Sequence, residues 1–103
     1  MLKTAPILQP TPTLNETAQL FKALSNPQRL AILLDLNDDV RSLKELAEST
    51  GQPPTQLATH LEKLRQMGIV DHTRFMRILQ YRIISPTVLS VLKTLQPENK
   101  IVA

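Results

Sequence analysis

The spacing of apolar residues changes along the chain and divides it into helical and extended stretches. Apolar residues recur every three or four positions in five stretches, the spacing of amphipathic or buried helices. These stretches are 14–24, 24–36, 42–51, 53–67 and 86–96. Over 69–84 the period shortens to two, which predicts an antiparallel hairpin turning near 75–77. The pattern therefore predicts a mostly α fold with about five helices and a two-stranded β-hairpin.

Capping signals support the predicted helix ends. Asn26-Pro27 and Ser85-Pro86 each place a capping side chain before a proline suited to the first helical position. Ser42 stands three residues before a glutamate, the spacing of a capping box. Gly51 and Gly68 are natural stops for the helices that precede them.

The predicted helices and hairpin fill residues 14–96, which we interpret as one domain. Residues 1–13 contain three prolines and no helical period, so we expect a flexible Pro-rich arm. Residues 97–103 follow the last helix and are expected to form a loose tail. A chain of 103 residues buries a modest share of its surface, so self-association is expected to help cover its apolar helices.

Composition excludes several classes of site. The chain has no cysteine, which rules out disulfides and thiolate metal ligands and fits a reducing cytoplasm. No apolar run reaches the roughly 18 residues of a membrane span. Glycine-rich phosphate loops, paired catalytic carboxylates and nucleophile–histidine arrangements are missing, so we expect neither an enzyme nor a cofactor.

Basic charge is concentrated in one part of the chain. Residues 1–51 hold five Lys/Arg against six Asp/Glu, whereas residues 52–82 hold five against two. An excess of this kind on one segment indicates a polyanionic partner.

The segment with the basic excess begins with a helix whose first turns are small and polar. Polar residues lie before and between the leucines at 57, 61 and 64: Thr55 and Gln56 come before the first leucine, and Thr59 and His60 lie between the first and the second. A short capped helix, a glycine turn and a second helix of this kind predict a helix-turn-helix, whose second helix enters the DNA major groove with its N-terminal end. The basic hairpin that follows would be a wing that contacts the phosphate backbone.

From about Ala18 to Leu95 the chain resembles the ArsR/SmtB family of bacterial winged-helix repressors. The resemblance is carried by FKALSNPQRLAIL (21–33), by SLKELAESTG (42–51), by ATHLEKLRQMGIV (58–70) and by Tyr81 in the second wing strand. It implies a winged helix-turn-helix that acts as a dimeric, sequence-specific transcriptional repressor on double-stranded DNA with an inverted-repeat operator.

The resemblance also implies site residues. The expected DNA contacts are Arg29, Gln52, Thr55, Gln56, Thr59, His60, Lys63, Arg74 and Arg77. The family pairs through its first and last helices, and the expected dimer interface is Leu14, Ala18, Phe21, Val88, Leu89, Leu92 and Leu95. At the family's thiolate metal positions this chain has Ser42 and Lys44, and its last helix lacks the Asp and His of zinc-sensing members. We therefore expect no metal site. A glycine is also usual in the wing turn, where this chain has Met76.

Other interpretations remain open at this stage. A winged helix can serve as a protein-interaction module, and a metal-responsive repressor with an atypical site is a further alternative. His60 could be a half-buried boundary residue, and Arg29 could be only a surface charge or a charge paired with Asp35. The wing arginines could form only a solvated face.

Overall fold

The computed structural model describes residues 12–37 and 39–95, which form five helices and one three-stranded sheet. The helices are α1 (Leu14–Leu24), α2 (Pro27–Asp35), α3 (Leu43–Thr50), α4 (Pro54–Gln66) and α5 (Pro86–Leu95). The strands are β1 (Arg41–Ser42), β2 (Val70–Phe75) and β3 (Ile78–Ile83).

The predicted mostly α fold with a hairpin is confirmed. Most of the predicted arm at 1–13 and all of the predicted tail at 97–103 lie outside the described residues. No helix of the described ranges is both long and apolar enough to cross a bilayer.

Local capping explains where four of the helices begin. Their N-cap residues are Thr13, Asn26, Ser42 and Ser85. The predicted capping box of α3 is confirmed, because Ser42 N donates to Glu45 Oε1 (2.9 Å) and Glu45 N donates to Ser42 Oγ (3.1 Å). A second box, between Thr13 and Glu16, opens α1 and was not predicted.

The sheet has one more strand than the predicted two-stranded wing. Its order is β1-β3-β2, and both pairings are antiparallel. In β1, Arg41 lies opposite Tyr81 and Ser42 lies opposite Gln80. Two residues are too few to show a period of two, and their strand conformation depends on β3, which lies some forty positions later in the chain. The prediction of two strands was therefore wrong by one short edge strand.

The core lies between the helices and the inner face of the hairpin. Helix α4 contributes Leu57, Leu61 and Leu64, which are the residues predicted for its core face and are almost completely buried. Each such side chain stabilises the fold by about 1.5–3 kcal/mol relative to an exposed one. The other fully buried large side chains are Ile32, Leu33, Leu36, Leu46, Val70, Val88 and Leu92.

Left-handed backbone occurs at two helix ends and at the wing turn. Gly51 and Gly68 have φ of 73° and 76°, as expected of glycines that end α3 and α4. Met76 and Arg77 have φ of 52° and 71°. Positive φ at both central residues is typical of a type I′ hairpin turn, a type that normally uses Asn or Gly. The wing turn is therefore a strained two-residue turn built from bulky side chains.

Candidate nucleic-acid interface

Helix α4 has a buried face and an exposed polar face in its N-terminal half. Leu57 and Leu61 fix the helix to the core, whereas Thr55, Gln56 and Thr59 are exposed. The exposed residues are small or carry an amide, so a surface can approach the helix closely and form hydrogen bonds with it. They were all predicted as DNA contacts, and the fold brings them together on one end of one helix.

The N-terminus of α4 differs from those of the other four described helices because no side chain caps it. Its N-cap residue is Pro53, Pro54 follows at the first helical position, and the first turn contains no acidic residue. The first backbone hydrogen bond of the helix runs from Leu57 N to Pro53 O at 3.0 Å. The N–H groups of Thr55 and Gln56 precede this bond and point out of the positive end of the helix dipole. Such a terminus suits a phosphate or another anionic oxygen.

The hydroxyl of Thr59 has a defined orientation. Its Oγ1 donates to the carbonyl oxygen of Thr55 at 3.1 Å. Because the hydroxyl proton is used inside the helix, the lone pairs of Oγ1 face outward as hydrogen-bond acceptors.

A cationic cleft lies beside the exposed face of α4. It has a volume of about 100 Å³ and is lined by Gln19, Lys22, Ala23, Arg29, Lys63 and Met67. Arg29 is half-buried, and its Nε donates to the Ala23 carbonyl oxygen at 3.1 Å. Asp35 pairs instead with Arg41 at 3.7 Å, so the alternative of an Arg29–Asp35 pair was wrong. Lys22 was not among the predicted contacts, since only the folded chain places it in the same cleft as Lys63.

His60 is half-buried on α4 and lies near enough to Arg29 and Lys63 for their charges to act on it. Burial lowers the pKa of its imidazole below the ordinary histidine value, and the positive charges of Arg29 and Lys63 lower the pKa further. The neutral form is therefore favoured in the free protein. A phosphate bound in the cleft would instead raise the pKa of His60 and favour its protonated form.

The acidic residue on α4 is neutralised by a neighbour. The guanidinium of Arg65 donates two hydrogen bonds to the Glu62 carboxylate, at 2.9 and 3.1 Å, and these hold the pKa of Glu62 below its usual range. Among the described residues, Lys63 forms no such ion pair. The charge presented by this part of α4 is therefore positive.

The wing adds two exposed arginines. Arg74 lies near the end of β2 and Arg77 in the turn, and Arg74 Nη1 approaches the carbonyl oxygen of Arg77 at 3.4 Å. Arg82 is half-buried further down the hairpin. The exposed cations thus lie at the tip of the wing.

The prediction that Gln52 contacts DNA was wrong. Its side chain is only 8% exposed, and its Nε2 donates to the carbonyl oxygen of Gln28 at 2.9 Å. The amide therefore joins the turn before α4 to the start of α2 and does not reach a ligand. A polar residue in a glycine-containing turn normally faces solvent, which is why the sequence misled here.

Comparisons with known proteins agree with this architecture. The profile of the family described as "Bacterial regulatory protein, arsR family" matches residues 26–72, which contain α2, α3, α4 and the start of the wing. The HTH-type transcriptional regulator YgaV of Escherichia coli K12 is 33% identical over 82 residues, which cover 79% of this chain and 83% of YgaV. The chain belongs to the arsR family.

The chain is also similar to a second curated regulator and to a solved structure. The HTH-type transcriptional repressor SmtB of Mycobacterium tuberculosis is 32% identical over 80 residues, or 78% of this chain, and the match spans 59% of SmtB. The solution structure of Mb0332 from Mycobacterium bovis, a homodimeric winged helix-turn-helix DNA-binding domain, has a TM-score of 0.70 and 27% identity. That match covers 86% of this chain and 90% of the Mb0332 fragment.

The described residues of this arsR-family chain contain no cluster of metal-ligating side chains. No group of three His, Cys, Asp or Glu side chains could hold an ion there. At the position of the family's thiolate site, Ser42 caps α3 through Glu45 and Lys44 is exposed. His72 lies edge-on to Tyr81 at a ring-centroid distance of 5.3 Å, within the hairpin.

The predicted dimer residues separate into two groups. Leu14, Ala18 and Phe21 form an exposed apolar stripe on α1, and Leu95 is exposed at the end of α5. Leu89 is half-buried.

Val88 and Leu92, in contrast, are completely buried in the core of their own protomer, so their prediction as interface residues was wrong. Helix α5 is apolar on more than one side, and the sequence alone did not indicate which side meets the core.

Proposed function

We propose that this arsR-family chain is a homodimeric transcriptional repressor that binds a specific inverted-repeat DNA operator. The observation that carries the proposal is the N-terminal half of α4, which is exposed, polar, free of acidic residues and uncapped, while every other described helix has a side-chain cap. An uncapped helix end lacks about 1 kcal/mol of stabilisation that a cap would supply. A ligand that accepts from these N–H groups would explain why the cap is missing.

Base recognition is assigned to Gln56 and Thr59. A glutamine amide can bond an adenine edge with two hydrogen bonds in the major groove. Thr59 presents acceptor lone pairs, because its proton is donated to Thr55, and so it suits an amino group of adenine or cytosine. Thr55 and Gln56 also offer backbone N–H groups to a phosphate.

Backbone contacts are assigned to the cationic cleft and the wing. Arg29 and Lys63 line the cleft beside α4, with Lys22 as an additional member, and Arg74 and Arg77 lie at the wing tip. These side chains would hold phosphates and contribute affinity without reading sequence.

Dimerisation is assigned to the exposed stripe on α1 and to the end of α5. The stripe has i, i+4, i+7 spacing and is separate from the core face of α1. Mb0332, which has the same fold, is homodimeric. A two-fold dimer would present two α4 helices to major grooves about 34–36 Å apart, or a multiple of that distance, so the operator should be an inverted repeat. Such a protein acts in the cytoplasm, where it would occlude a promoter.

The deciding experiment is selection of bound fragments from a random DNA pool, followed by binding measurements with variants. Gln56→Ala should weaken binding to the selected site by about 1–3 kcal/mol and leave random DNA unaffected. Gln66→Ala, the same change at the other end of α4, is the control and should have no effect.

Arg77→Ala should weaken binding to both DNAs and reduce the salt slope by up to about one unit. Failure to enrich any sequence, or equal losses from Gln56→Ala on both DNAs, would refute the proposal. A protein that captured no DNA but bound a folded protein partner would instead be an interaction module.

A further inference from the structure

The tip of the wing carries an apolar cluster that the fold does not cover. Phe75, Met76 and Ile78, together called the wing-tip cluster, are 61%, 77% and 54% exposed. Single exposed apolar residues are common, but three neighbours at the end of an arm indicate a contact surface.

The geometry of the hairpin holds these side chains at its end. Phe75 and Ile78 are direct partners in the β2–β3 register, so their side chains lie on the same face. Met76 follows in the turn at a φ of 52°. A glycine or asparagine would adopt this turn more easily. The turn therefore keeps a large apolar side chain exposed, at a cost in backbone strain.

The charge around the cluster indicates which surface it meets. Residues 72–83 contain no aspartate or glutamate, and Arg74 and Arg77 flank the cluster. The DNA minor groove attracts arginines, and minor-groove proteins insert Phe, Met or Ile side chains between base steps. The hairpin follows α4 through Gly68 and β2 packs against that helix, so the wing is attached to the element proposed to enter the major groove.

We propose that Phe75 and Met76 form a wedge that enters the minor groove beside each half-site and partly unstacks one base step, while Arg74 and Arg77 contact the flanking phosphates. This inference rests on the proposed DNA-binding function. Pyrimidine–purine steps such as TA and CA unstack most easily. The wing should therefore select a flexible step outside the bases that α4 reads, and should bend the DNA there.

The test uses the operator obtained by selection, with 2-aminopurine placed in the step next to each half-site. Binding of the full chain should raise the fluorescence of the probe and bend the fragment in a gel permutation assay. Replacing a TA step by GC at this position should weaken wild-type binding about tenfold.

Two variants separate the wedge from folding and from charge. Met76→Gly removes the side chain and relieves the positive φ, and Phe75→Thr keeps a strand former. Both should lose most of the fluorescence change, the bend and the preference for the TA flank. Val40→Thr, which alters an exposed apolar residue outside the wing, is the control and should retain all three. Circular dichroism confirms that each variant is folded.

The experiment distinguishes failure of the wedge from failure of the proposed DNA-binding function. If wild-type protein binds its operator but Met76→Gly and Phe75→Thr match it in fluorescence, bending and flank preference, the wedge is wrong and operator binding stands. The wedge is also wrong if Met76→Gly and Phe75→Thr keep all three DNA properties and lose binding only to anionic lipid vesicles or to a protein. If the wild-type chain enriches no DNA, the proposed function itself fails.

Discussion

Gln52 and Arg29 are polar residues that the fold uses for internal hydrogen bonds. Gln52 Nε2 donates to the Gln28 carbonyl oxygen, and Arg29 Nε donates to the Ala23 carbonyl oxygen. The two bonds join α1 to α2 and α2 to the turn before α4, so they help to position α4. Gln52 Oε1 is buried and has no hydrogen-bond partner, which offsets part of the stabilisation.

Gln52→Ala should therefore act on stability. Loss of the buried hydrogen bond and of side-chain packing should lower the free energy of unfolding by about 1–3 kcal/mol, measured by urea denaturation. Gln66→Ala, at an exposed position, is the control and should change stability by less than about 0.5 kcal/mol. An unchanged unfolding curve for Gln52→Ala, combined with weaker DNA binding, would restore Gln52 as a direct contact.

His60 predicts a pH dependence of stability. Because burial and the charges of Arg29 and Lys63 lower its pKa in the folded chain, the unfolded chain binds the proton more readily. Stability from this residue is complete above the unfolded pKa of about 6.5 and is lost as the pH falls toward the lower folded pKa. Urea denaturation of wild type and His60→Gln, from about pH 7.5 to about pH 5.5, should show that wild type loses more stability on acidification. Parallel pH profiles would contradict this.

At the scale of elements, the helix ends distinguish α4 from its neighbours. Glu16 and Glu45 close the first turns of α1 and α3 through capping boxes. The N-cap of α4 is Pro53 and its first helical residue is Pro54, and neither side chain can accept a hydrogen bond. The prolines stiffen the entrance of the helix and leave its positive end open.

A cap introduced at Pro53 should oppose DNA binding. Pro53 has φ −62° and ψ 141°, an extended conformation suited to an N-cap aspartate. Relative to Pro53→Ala, which removes the proline without adding a cap, Pro53→Asp should stabilise the protein by about 1 kcal/mol. Its carboxylate would occupy the free N–H groups and repel phosphate, so DNA affinity should fall about tenfold, measured by fluorescence anisotropy. Equal affinities of the two variants would show that this helix end does not meet DNA.

At the scale of the whole molecule, one small core leaves apolar surface on the outside. Leu14 and Phe21 on α1 and Leu95 on α5 are 88%, 60% and 60% exposed. The inner residues of the same helices, such as Leu24 and Leu92, complete the core. The two terminal helices thus have one face in the core of the protomer and another that is exposed, which we propose pairs with a second copy of the chain.

Phe21→Glu should disrupt the proposed dimer. The phenyl ring is exposed in the protomer, so the variant should fold, and a buried charge at a two-fold interface would oppose pairing. Light scattering at tens of micromolar should give a dimer mass for wild type and a monomer mass for Phe21→Glu. Gln19→Glu places the same charge on an exposed position of α1 outside the stripe and should remain dimeric. A monomeric wild type would contradict the interface.

Metal independence of operator binding remains a prediction. Zinc sites need three or four converging ligands, and soft metals favour thiolates, which this chain lacks. Titration of zinc, cadmium, arsenite or copper into the protein–operator complex at neutral pH should leave the complex intact. Stoichiometric release of DNA that a chelator reverses, and that His60→Ala or His72→Ala abolishes, would establish an atypical metal site.

The sequence by itself determined the helices, three of the four side-chain caps and the hairpin. Asn26, Ser42 and Ser85 act on N–H groups three residues away, and Leu57, Leu61 and Leu64 share one helix face by spacing alone. These features depend on neighbours within one or two helical turns, so local sequence is sufficient to specify them.

Contacts between distant elements decided the rest. Three such contacts join residues far apart in the chain: the pairing of Arg41 with Tyr81, the hydrogen bond from Gln52 to Gln28, and the cleft that Lys22 and Lys63 both line. The same holds for α5, where packing buries Val88 and leaves Leu95 exposed. A pattern of apolar residues shows that a face will be buried, but only the packed structure determines whether it is buried against its own core or left for a partner.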